Sequence, residues 1–571
     1  MIEDLGAYTE HGLLALSREP GNPGPDLDAW VERMGVPCVL RPGGLVTWGR
    51  AEPSDGFVPL ARGVRVGDDD LAGDAGFALV WDGEGRASAL PPAAGVASEY
   101  DTIRAANDTL GFRALYARTG AGWAAISTSA RALHLLEPSG IDPAGLALLA
   151  TAGWHTGNAT MFSGVTAITG RVTLRDGRLT READPAQAES PQYGEPVTAA
   201  ASLLRQIMTG ILDDHPDAVL QLTGGIDSRI LLASIPAARR DQVTAMTLET
   251  PGNPDPVIAA ALTARHGMRH ELLTFDGLAD LTPEEAFSLC LTAARRVDGG
   301  ADPLAAAAVD YAEGLHHEHP RLGGLGGEVA RGFYYFGSTR QTTITPGRIE
   351  RLADWRIFAN EAAPAGAFTR DVASELRSLA HAAVREAFAD AGTDDWFRAT
   401  DHFYLHQRMR RWAGTLASAT CLERVTLNPM LDPRFVALVG ALPPAEKKDL
   451  RFLARLLVEL DDGLAAIPMD NRPAPVAYAG SGPRVRVQQA VAKVPRVARK
   501  VRQRLARRTR PPEGGAILAA KISDHVVAHP ELLHPLSRLD LLDPIWLDGI
   551  ADGTVRPDVA GCALLLRLML A

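Results

Sequence analysis

A short glycine turn between two apolar runs is the feature that most constrains this chain. Residues 222–229 read Leu-Thr-Gly-Gly-Ile-Asp-Ser-Arg, and they lie between the apolar runs 218–220 and 230–232. This order predicts a strand, a tight turn and a helix. Such a turn presents free backbone N–H groups at a helix N-terminus, where they favour phosphate binding. The sequence therefore predicts a phosphate site on a strand–turn–helix unit.

The side chains of the turn suit the same chemistry. Gly224 and Gly225 let the backbone approach an anion closely, and Thr223 and Ser228 add hydroxyl donors. Asp227 would repel phosphate on its own, so we expect it to hold a Mg²⁺ that bridges phosphate oxygens. The alternative is that residues 222–229 form a strand–turn–helix unit that binds no ligand.

Bulk properties are those of a globular protein that we expect to be cytoplasmic. The chain has 571 residues, enough for two to four domains, and a formal net charge of −11. Four widely spaced cysteines form no Cys-X-X-Cys pair, which argues against a disulfide framework or a cysteine-rich zinc site. The start lacks the pattern of a signal peptide, and no run of about 18 apolar residues predicts a membrane span.

One basic segment stands out in this acidic chain. Residues 484–510 contain no acidic side chain, and valines recur among the arginines and lysines at three- and four-residue steps. The pattern predicts a basic amphipathic helix, broken near Pro495. A solvated helix or a disordered insertion is the bland alternative. If the segment is functional, the favoured ligand is an acidic peptide or partner. An anionic membrane surface ranks second, and nucleic acid ranks last because the rest of the chain is acidic.

The rest of the chain divides into three stretches. Residues 1 to about 190 are rich in short apolar runs and turn signals, which predicts a β-rich domain. Residues 184–196 resemble a linker, and a helical period over 197–212 leads into the phosphate turn. Helices then alternate with short strands to about 345, as in a parallel sheet, and the remainder is mostly helical. The predicted fold class is therefore α/β.

Several motifs resemble those of known enzymes. The turn resembles the Ser-Gly-Gly-X-Asp-Ser loop of the PP-loop ATP pyrophosphatases, which attack the α-phosphorus of ATP and release AMP. Four further stretches, in the same order along the chain, resemble asparagine synthetases. They are 111–116 with 125–128, the helical stretch 255–270, Gly-Gly-Leu-Gly-Gly-Glu at 323–328, and Leu-Glu-Arg-Val at 422–425 with 430–435.

This resemblance implies two domains. Residues 1–190 would form a glutaminase-like sandwich of the Ntn type, and residues 191–571 a PP-loop synthetase domain. Glutamine-dependent members carry a cysteine nucleophile after the initiator Met, but position 2 here is Ile. The N-terminal domain is therefore expected to be a scaffold without glutaminase activity. Among members without the cysteine, the stretches 324–332, 401–404 and 408–412 are most similar to the lasso peptide cyclases.

The resemblance also assigns roles to individual residues. Asp227 and Glu328 would hold Mg²⁺, although the family's own Asp aligns with Gly327 and Glu328 would have to replace it. A glutamate that caps a helix beginning near Val329 is the alternative. The family's late Lys, which stabilises amide formation, should fall near 473–474, where none is present. Arg472 is the closest cation and would act on phosphate or on the acyl oxyanion.

The nucleotide would contact the remaining candidates. Ser228 and the backbone of Gly224–Gly225 would hold the pyrophosphate. Leu248 would present its backbone to adenine, with Thr247 lining that pocket, unless both belong to the sheet core. Asp255 would lie near the ribose or support the loop, and capping of the following helix is the alternative.

The expected function is that of a lasso peptide macrolactam synthetase, with ATP and Mg²⁺ as cofactors. It would adenylate an Asp or Glu side chain of a leader-free core peptide, and the peptide's N-terminal amine would close the ring. Expected partners are this precursor-derived peptide, a leader peptidase and a leader-binding protein, but no nucleic acid. The alternatives are a small-molecule lactam or amide synthetase and a non-catalytic scaffold descended from a synthetase.

Overall fold

The structure is a computed structural model, and it describes most of the chain. The described residues are 11–49, 57–61, 64–65, 89–182, 194–250, 252–314, 318–336, 338–358, 363–421, 424–470, 472–480 and 514–571. The predicted basic segment 484–510, most of the predicted linker 184–196 and position 2 lie outside these ranges.

The first region consists mainly of antiparallel strands. They are β1 Gly12–Arg18, β2 Cys38–Arg41, β3 Leu45–Trp48, β4 Phe57–Ala61, β5 Val64–Arg65, β6 Ala89–Leu90, β7 Ala94–Glu99, β8 Thr102–Asn107, β9 Leu115–Gly120, β10 Trp123–Ser127, β11 Thr166–Ile168, β12 Arg171–Arg175 and β13 Arg178–Glu182. One sheet has the order β11-β9-β10-β1-β3-β2, a second has the order β13-β12-β8-β7-β4, and β5 pairs with β6.

The two larger sheets of this region share an apolar core. Leu13 and Ala15 of the first sheet are buried in one cluster with Val96 and Ala105 of the second. Because side chains alternate across a strand, the neighbouring Leu14 points to the opposite face. That face packs against the helices α1 Leu27–Met34, α2 Ala130–His134 and α3 Pro143–Ala152 and joins the main core of the protein.

The second region contains a sheet of five parallel strands. They are β14 Val219–Gln221, β15 Thr244–Leu248, β16 His270–Leu273, β17 Arg321–Leu322 and β18 Thr426–Leu427. Their order is β16-β15-β14-β17-β18, and every described pairing is parallel. The three central residues of β15 are buried, as expected for a sheet that is covered on both faces. The change from antiparallel to parallel pairing falls between Glu182 and β14, and the predicted α/β class is confirmed.

Helices surround this sheet and form the rest of the region. They are α4 Pro196–Asp214, α5 Ile226–Ser234, α6 Asp255–Ala264, α7 Pro283–Arg296, α8 Pro303–Glu313, α9 Pro346–Leu352, α10 Arg370–Ala389, α11 Trp396–Phe403, α12 Gly414–Thr420, α13 Pro433–Gly440, α14 Pro444–Lys447, α15 Arg451–Leu460, α16 Asp462–Ala465, α17 Val476–Ala479, α18 Gly515–Ala528, α19 His534–Ser537, α20 Pro544–Ala551 and α21 Val559–Leu568. A π-helical stretch, Tyr404–Ala413, joins α11 to α12. Among the described residues, no helix combines the length and the apolar character needed to cross a membrane.

The π-helical stretch ties the two regions together. Arg410 donates to the side-chain oxygen of Asn158 at 3.0 Å, and Arg411 donates to the carbonyl of Ala159. Both arginines are buried, and their burial lowers the pKa of each guanidinium, that of Arg410 to about 9. These two cations therefore hold the regions together and do not face an open substrate site.

Candidate functional site

The predicted phosphate turn is a strand–turn–helix unit at the carboxyl end of β14. The chain leaves β14 at Gln221, and α5 begins at Ile226 after Gly225, which provides no side-chain cap. The Thr223 hydroxyl accepts from the N–H of Gly225 at 3.2 Å and lies 3.1 Å from the Ser228 hydroxyl. The hydroxyls therefore shape the loop, while the first turn of α5 has no capping side chain to bind its N–H groups.

Asp255 braces the loop from the neighbouring strand connection. Its Oδ1 accepts from the backbone N–H of Gly224 at 2.8 Å. A Cβ at position 224 would lie 2.9 Å from that oxygen and 2.8 Å from Cδ1 of Ile258, so the close approach requires glycine. Asp255 is the first residue of α6, and the residue before it makes no side-chain cap bond. Of the expected roles, Asp255 thus supports the loop, and the helix-capping alternative is wrong.

Arg229 is a residue of the site that the sequence reasoning missed. Its side chain is fully buried, and burial lowers its pKa to about 10. It donates to the carbonyls of Leu464 at 3.2 Å, Ile467 and Pro468 at 3.1 Å. An arginine directly before the apolar run 230–232 was the available signal. Through these bonds Arg229 fixes the segment that leads to Arg472 against the phosphate loop.

Two predicted carboxylates meet at this loop. Glu328 lies on a 3₁₀ turn, Gly327–Arg331, and Nη2 of Arg331 is 3.0 Å from Glu328 Oε1 and 3.3 Å from Asp227 Oδ2. The other oxygens, Asp227 Oδ1 and Glu328 Oε2, are buried and have no hydrogen-bond partner. Glu328 lies in the first turn of this 3₁₀ segment, so its role at the start of the turn stays an alternative beside its contact with Arg331.

The pKa of Asp227 in this pair is set by burial and by the charged side chains around it. Burial raises the pKa of Asp227 to about 6; Arg331 and then Arg472 act against this, and Glu328 adds to it. Burial likewise raises the pKa of Tyr404 well above its usual range, and the charge of Glu328 adds to the effect. Arg331 and Tyr404 belong to the site although the sequence reasoning assigned neither of them a role.

Arg472 lies within electrostatic reach of the pair. Its positive charge lowers the pKa of Asp227, although burial and the nearer Arg331 have larger effects. The side chain is half-buried, and its backbone N–H donates to the carbonyl of Met469 at 3.2 Å. The structure therefore brings the predicted late cation to the phosphate loop, and its role on phosphate or oxyanion stays a prediction.

The proposed adenine side is only partly open. Thr247 is 1% exposed, and its hydroxyl donates to the carbonyl of Leu222 at 2.7 Å and lies 2.9 Å from Nε2 of His270. That side chain therefore belongs to the sheet core, as the alternative reading had it, and does not line an open pocket. Leu248 is half-buried at the carboxyl end of β15, where its backbone contact with adenine stays a prediction.

The donor set fits a Mg²⁺ that is shared with a phosphate ligand. Asp227 and Glu328 each offer one buried oxygen without a partner, and carboxylate oxygens are the ligands this ion prefers. The described residues contain no group of three or more acidic, histidine or cysteine side chains that could hold a metal alone. Mg²⁺ commonly uses one or two carboxylates together with phosphate oxygens and water, so two protein ligands suffice.

Aromatic side chains flank the carboxylate pair. The Phe333 ring lies 5.1 Å from that of Tyr404, and the Arg356 guanidinium lies 5.2 Å from Phe333. Tyr334 is buried in the core, whereas Phe333 is half-buried. Farther along the π-helical stretch, the half-buried Arg408 lies 4.0 Å from the ring of Trp412. Arg410 and Arg411 lie at the junction between the two regions, whereas Arg408 stacks on Trp412.

A separate cavity lies between the two regions. It shares no residue with the phosphate loop. Its lining includes Trp48, Arg113, Tyr116, Arg295, Asp298 and Ser418. Asp298 accepts from the hydroxyl of Ser129 at 2.7 Å and from the N–H of Arg131 at 2.9 Å, so its charge already helps to join the regions.

Comparison with known proteins does not assign the chain to a family. No family model matches it, and a search of curated proteins finds no match either. The chemistry of the site therefore has to be inferred from the residues that form it.

Proposed function

We propose that the protein is an ATP-dependent, AMP-forming amide synthetase that closes a macrolactam ring in a peptide. One observation carries the proposal: the uncapped N-terminus of α5 meets two carboxylates, Asp227 and Glu328, each with an unpartnered buried oxygen. A helix N-terminus that can bind an anion lies beside two carboxylates that can bind a cation. This combination suits a nucleoside triphosphate with its divalent cation. In this proposal the first region is a glutaminase-like sandwich of the Ntn type that serves as scaffold.

The reaction has two steps. A carboxylate oxygen of the substrate attacks the α-phosphorus of ATP, and the bond to pyrophosphate breaks, which gives an acyl-adenylate. The amine then attacks the acyl carbon, AMP leaves with the bonding electrons, and the amine loses a proton. The products are an amide, AMP and pyrophosphate. The peptide loses the mass of one water, because one carboxylate oxygen leaves with AMP.

The chain's own residues supply binding and charge in this scheme. N–H groups in the first turn of α5 would bind the pyrophosphate, because no side chain caps that helix. Asp227 and Glu328 would hold Mg²⁺, which screens the charge between carboxylate and phosphate when bound. Arg472 would stabilise negative charge on phosphate or on the acyl oxygen, since its charge already reaches Asp227.

The peptide part of the proposal rests on the sequence resemblance and on the surroundings of the site. Phe333 and Tyr404 offer an aromatic wall beside Glu328, and Arg408 offers a cation on the same π-helical stretch. The substrate would be a leader-free core peptide that carries an Asp or Glu side chain and a free N-terminal amine. A leader peptidase and a leader-binding protein would act before this enzyme.

The test uses the purified protein with ATP, Mg²⁺ and the core peptide of a precursor encoded beside it. Peptide mass and nucleotide products are measured in the same reaction. We expect the loss of one water from the peptide together with AMP and pyrophosphate. Asp227→Ala should abolish both products, whereas Asp241→Ala, at an exposed carboxylate, should leave both unchanged.

Other outcomes would correct the proposal. AMP formation that requires a small acid in place of the peptide would establish a small-molecule amide or lactam synthetase. ATP binding without AMP under any condition would identify a scaffold that has lost the reaction.

A further inference from the structure

The position of Arg331 is not explained by ATP chemistry alone. Its Nη2 is 3.0 Å from Glu328 Oε1 and 3.3 Å from Asp227 Oδ2, so one guanidinium nitrogen bridges both carboxylates. Asp227, Glu328 and Arg331 are between 17% and 23% exposed, so the contact is largely shielded from water. A positive group already lies between the two side chains that would share a metal.

Charge counting shows what a second cation would meet. Two carboxylates and one guanidinium leave a net charge of −1, and Arg472 contributes a further positive charge nearby. A divalent cation at Asp227 and Glu328 would face Arg331 at short range in a partly buried setting, where repulsion is stronger than in water. The guanidinium therefore has to give way, or find an anionic partner, when a metal enters.

Glycines lie on either side of the turn that carries Arg331. Gly326 before the 3₁₀ turn has φ 98°, and Gly332 after it has φ 59°, conformations that glycine adopts without strain. The arginine side chain itself has several rotatable bonds. A triphosphate at the start of α5 would offer the displaced guanidinium new oxygens, with which it pairs well.

We propose that Arg331 is a built-in counterion that holds the place of the divalent cation at Asp227 and Glu328 and weakens metal binding in the absence of nucleotide. This counterion role implies that the metal and a nucleoside triphosphate bind together, and that implication rests on the proposed function. The competition between Arg331 and the metal does not rest on it.

The test measures Mn²⁺ binding by paramagnetic resonance of the free ion, with the full chain and no nucleotide. Arg331→Met keeps the length of the side chain and removes its charge. We expect it to bind Mn²⁺ at least tenfold more tightly than the unmodified protein, whereas Arg331→Lys should change the affinity less than threefold. Arg377→Met, at an exposed ion pair with Asp354, is the matched control and should change nothing.

The site of the gain is checked by a double variant. Asp227→Asn combined with Arg331→Met should lose the added Mn²⁺ affinity, because the gain depends on that carboxylate. Arg331→Gln serves as a second uncharged variant if the methionine variant does not fold. Mn²⁺ affinity that stays within threefold of the unmodified protein in a folded, uncharged variant would overturn the counterion role.

Addition of α,β-methylene ATP separates this inference from the proposed function. In the unmodified protein the analogue should tighten Mn²⁺ binding at least tenfold, and in Arg331→Met the further gain should be smaller. If Arg331→Met binds Mn²⁺ more tightly but the analogue has no effect on either protein, the counterion role holds and the nucleotide function is wrong.

Discussion

Two neighbouring clusters of buried charged side chains differ in how many carboxylates share one positive group. At the phosphate loop, two carboxylates share the single guanidinium of Arg331, and each keeps one unpartnered oxygen. Behind it, Lys447 donates to Asp401 Oδ2 at 2.6 Å, and the Tyr335 hydroxyl donates to the same oxygen at 2.9 Å.

The two clusters are connected through the fold. Helix α14, which ends at Lys447, packs against the turn Gly327–Arg331. The balanced cluster uses one carboxylate, one ammonium and one hydroxyl, and Lys447 is completely buried. Such a set stabilises a position, whereas two carboxylates that contact one guanidinium keep unpartnered oxygens for a cation, even with the charge of Arg472 nearby. Charge balance therefore separates the supporting cluster from the candidate binding site, and the following changes test that distinction.

Loss of Lys447 should have the largest effect on stability. Lys447→Met leaves Asp401 in a buried site without its cation, which typically costs about 3–5 kcal/mol. Lys448→Met, at the adjacent half-buried residue, should cost less than about 1 kcal/mol. Urea unfolding of the two variants measures the difference. Adding Asp401→Asn to Lys447→Met should recover part of the loss, and equal losses for Lys447→Met and Lys448→Met would contradict the supporting role.

Neutralising Asp227 should stabilise the protein, in contrast to the loss of Lys447. Burial raises its pKa from 3.8 to about 6, so ionisation of this group costs the folded state stability at neutral pH. Asp227→Asn should therefore raise the free energy of unfolding by roughly 1–3 kcal/mol at pH 8. Because the folded pKa lies above the unfolded one, the gain should be full above pH 6 and vanish near pH 4.

Thermal unfolding across this pH range provides the measurement, with Asp241→Asn as the exposed control. A variant that is less stable than the unmodified protein at pH 8 would show that Asp227 is a structural ion-pair partner like Asp401. A gain of the same size at pH 4 and pH 8 would show that its ionisation is not the cause.

The sequence predicted the elements around the site better than the side chains within it. The apolar runs on either side of Thr223–Ser228 were enough to predict strand, turn and helix, because period and glycine position are local signals. The helical period over 197–212 likewise corresponds to α4, Pro196–Asp214. The presence of Asp227 and Glu328 at one site was anticipated only through the resemblance, since the two residues are far apart in the chain and meet through Arg331.

Three features could not be predicted from local pattern. Arg331 bridges the carboxylates only because the turn Gly327–Arg331 folds back on α5, and Arg229 reaches carbonyls of the segment 464–468. Thr247 was expected either at a pocket or in the sheet core, and only its hydrogen bond to the carbonyl of Leu222 decides for the core. In each case a long-range contact decides which role the side chain has.

A methyl group at Gly327 should disturb the unbalanced cluster by crowding. A Cβ there would lie 2.3 Å from Asp227 Oδ1 and 2.7 Å from its Cγ, so the carboxylate would have to move. Gly327→Ala should cost about 2 kcal/mol and lower AMP formation at least tenfold. Gly347→Ala, where no atom lies within 4 Å of the new Cβ, is the matched control and should leave both quantities unchanged. Unchanged activity of Gly327→Ala would mean that the position of Asp227 does not matter.

The smallest change compares one tyrosine from each cluster. Tyr335→Phe removes the hydroxyl that donates to Asp401 and should cost about 1 kcal/mol of stability, with AMP formation unchanged. Tyr404→Phe removes the hydroxyl beside Glu328 and should alter AMP formation severalfold, with a stability change below about 1 kcal/mol. Both are measured by urea unfolding and by the rate of AMP release. If Tyr335→Phe slowed AMP release more than Tyr404→Phe, the balanced cluster would itself contribute to the reaction, and charge balance would no longer separate support from function.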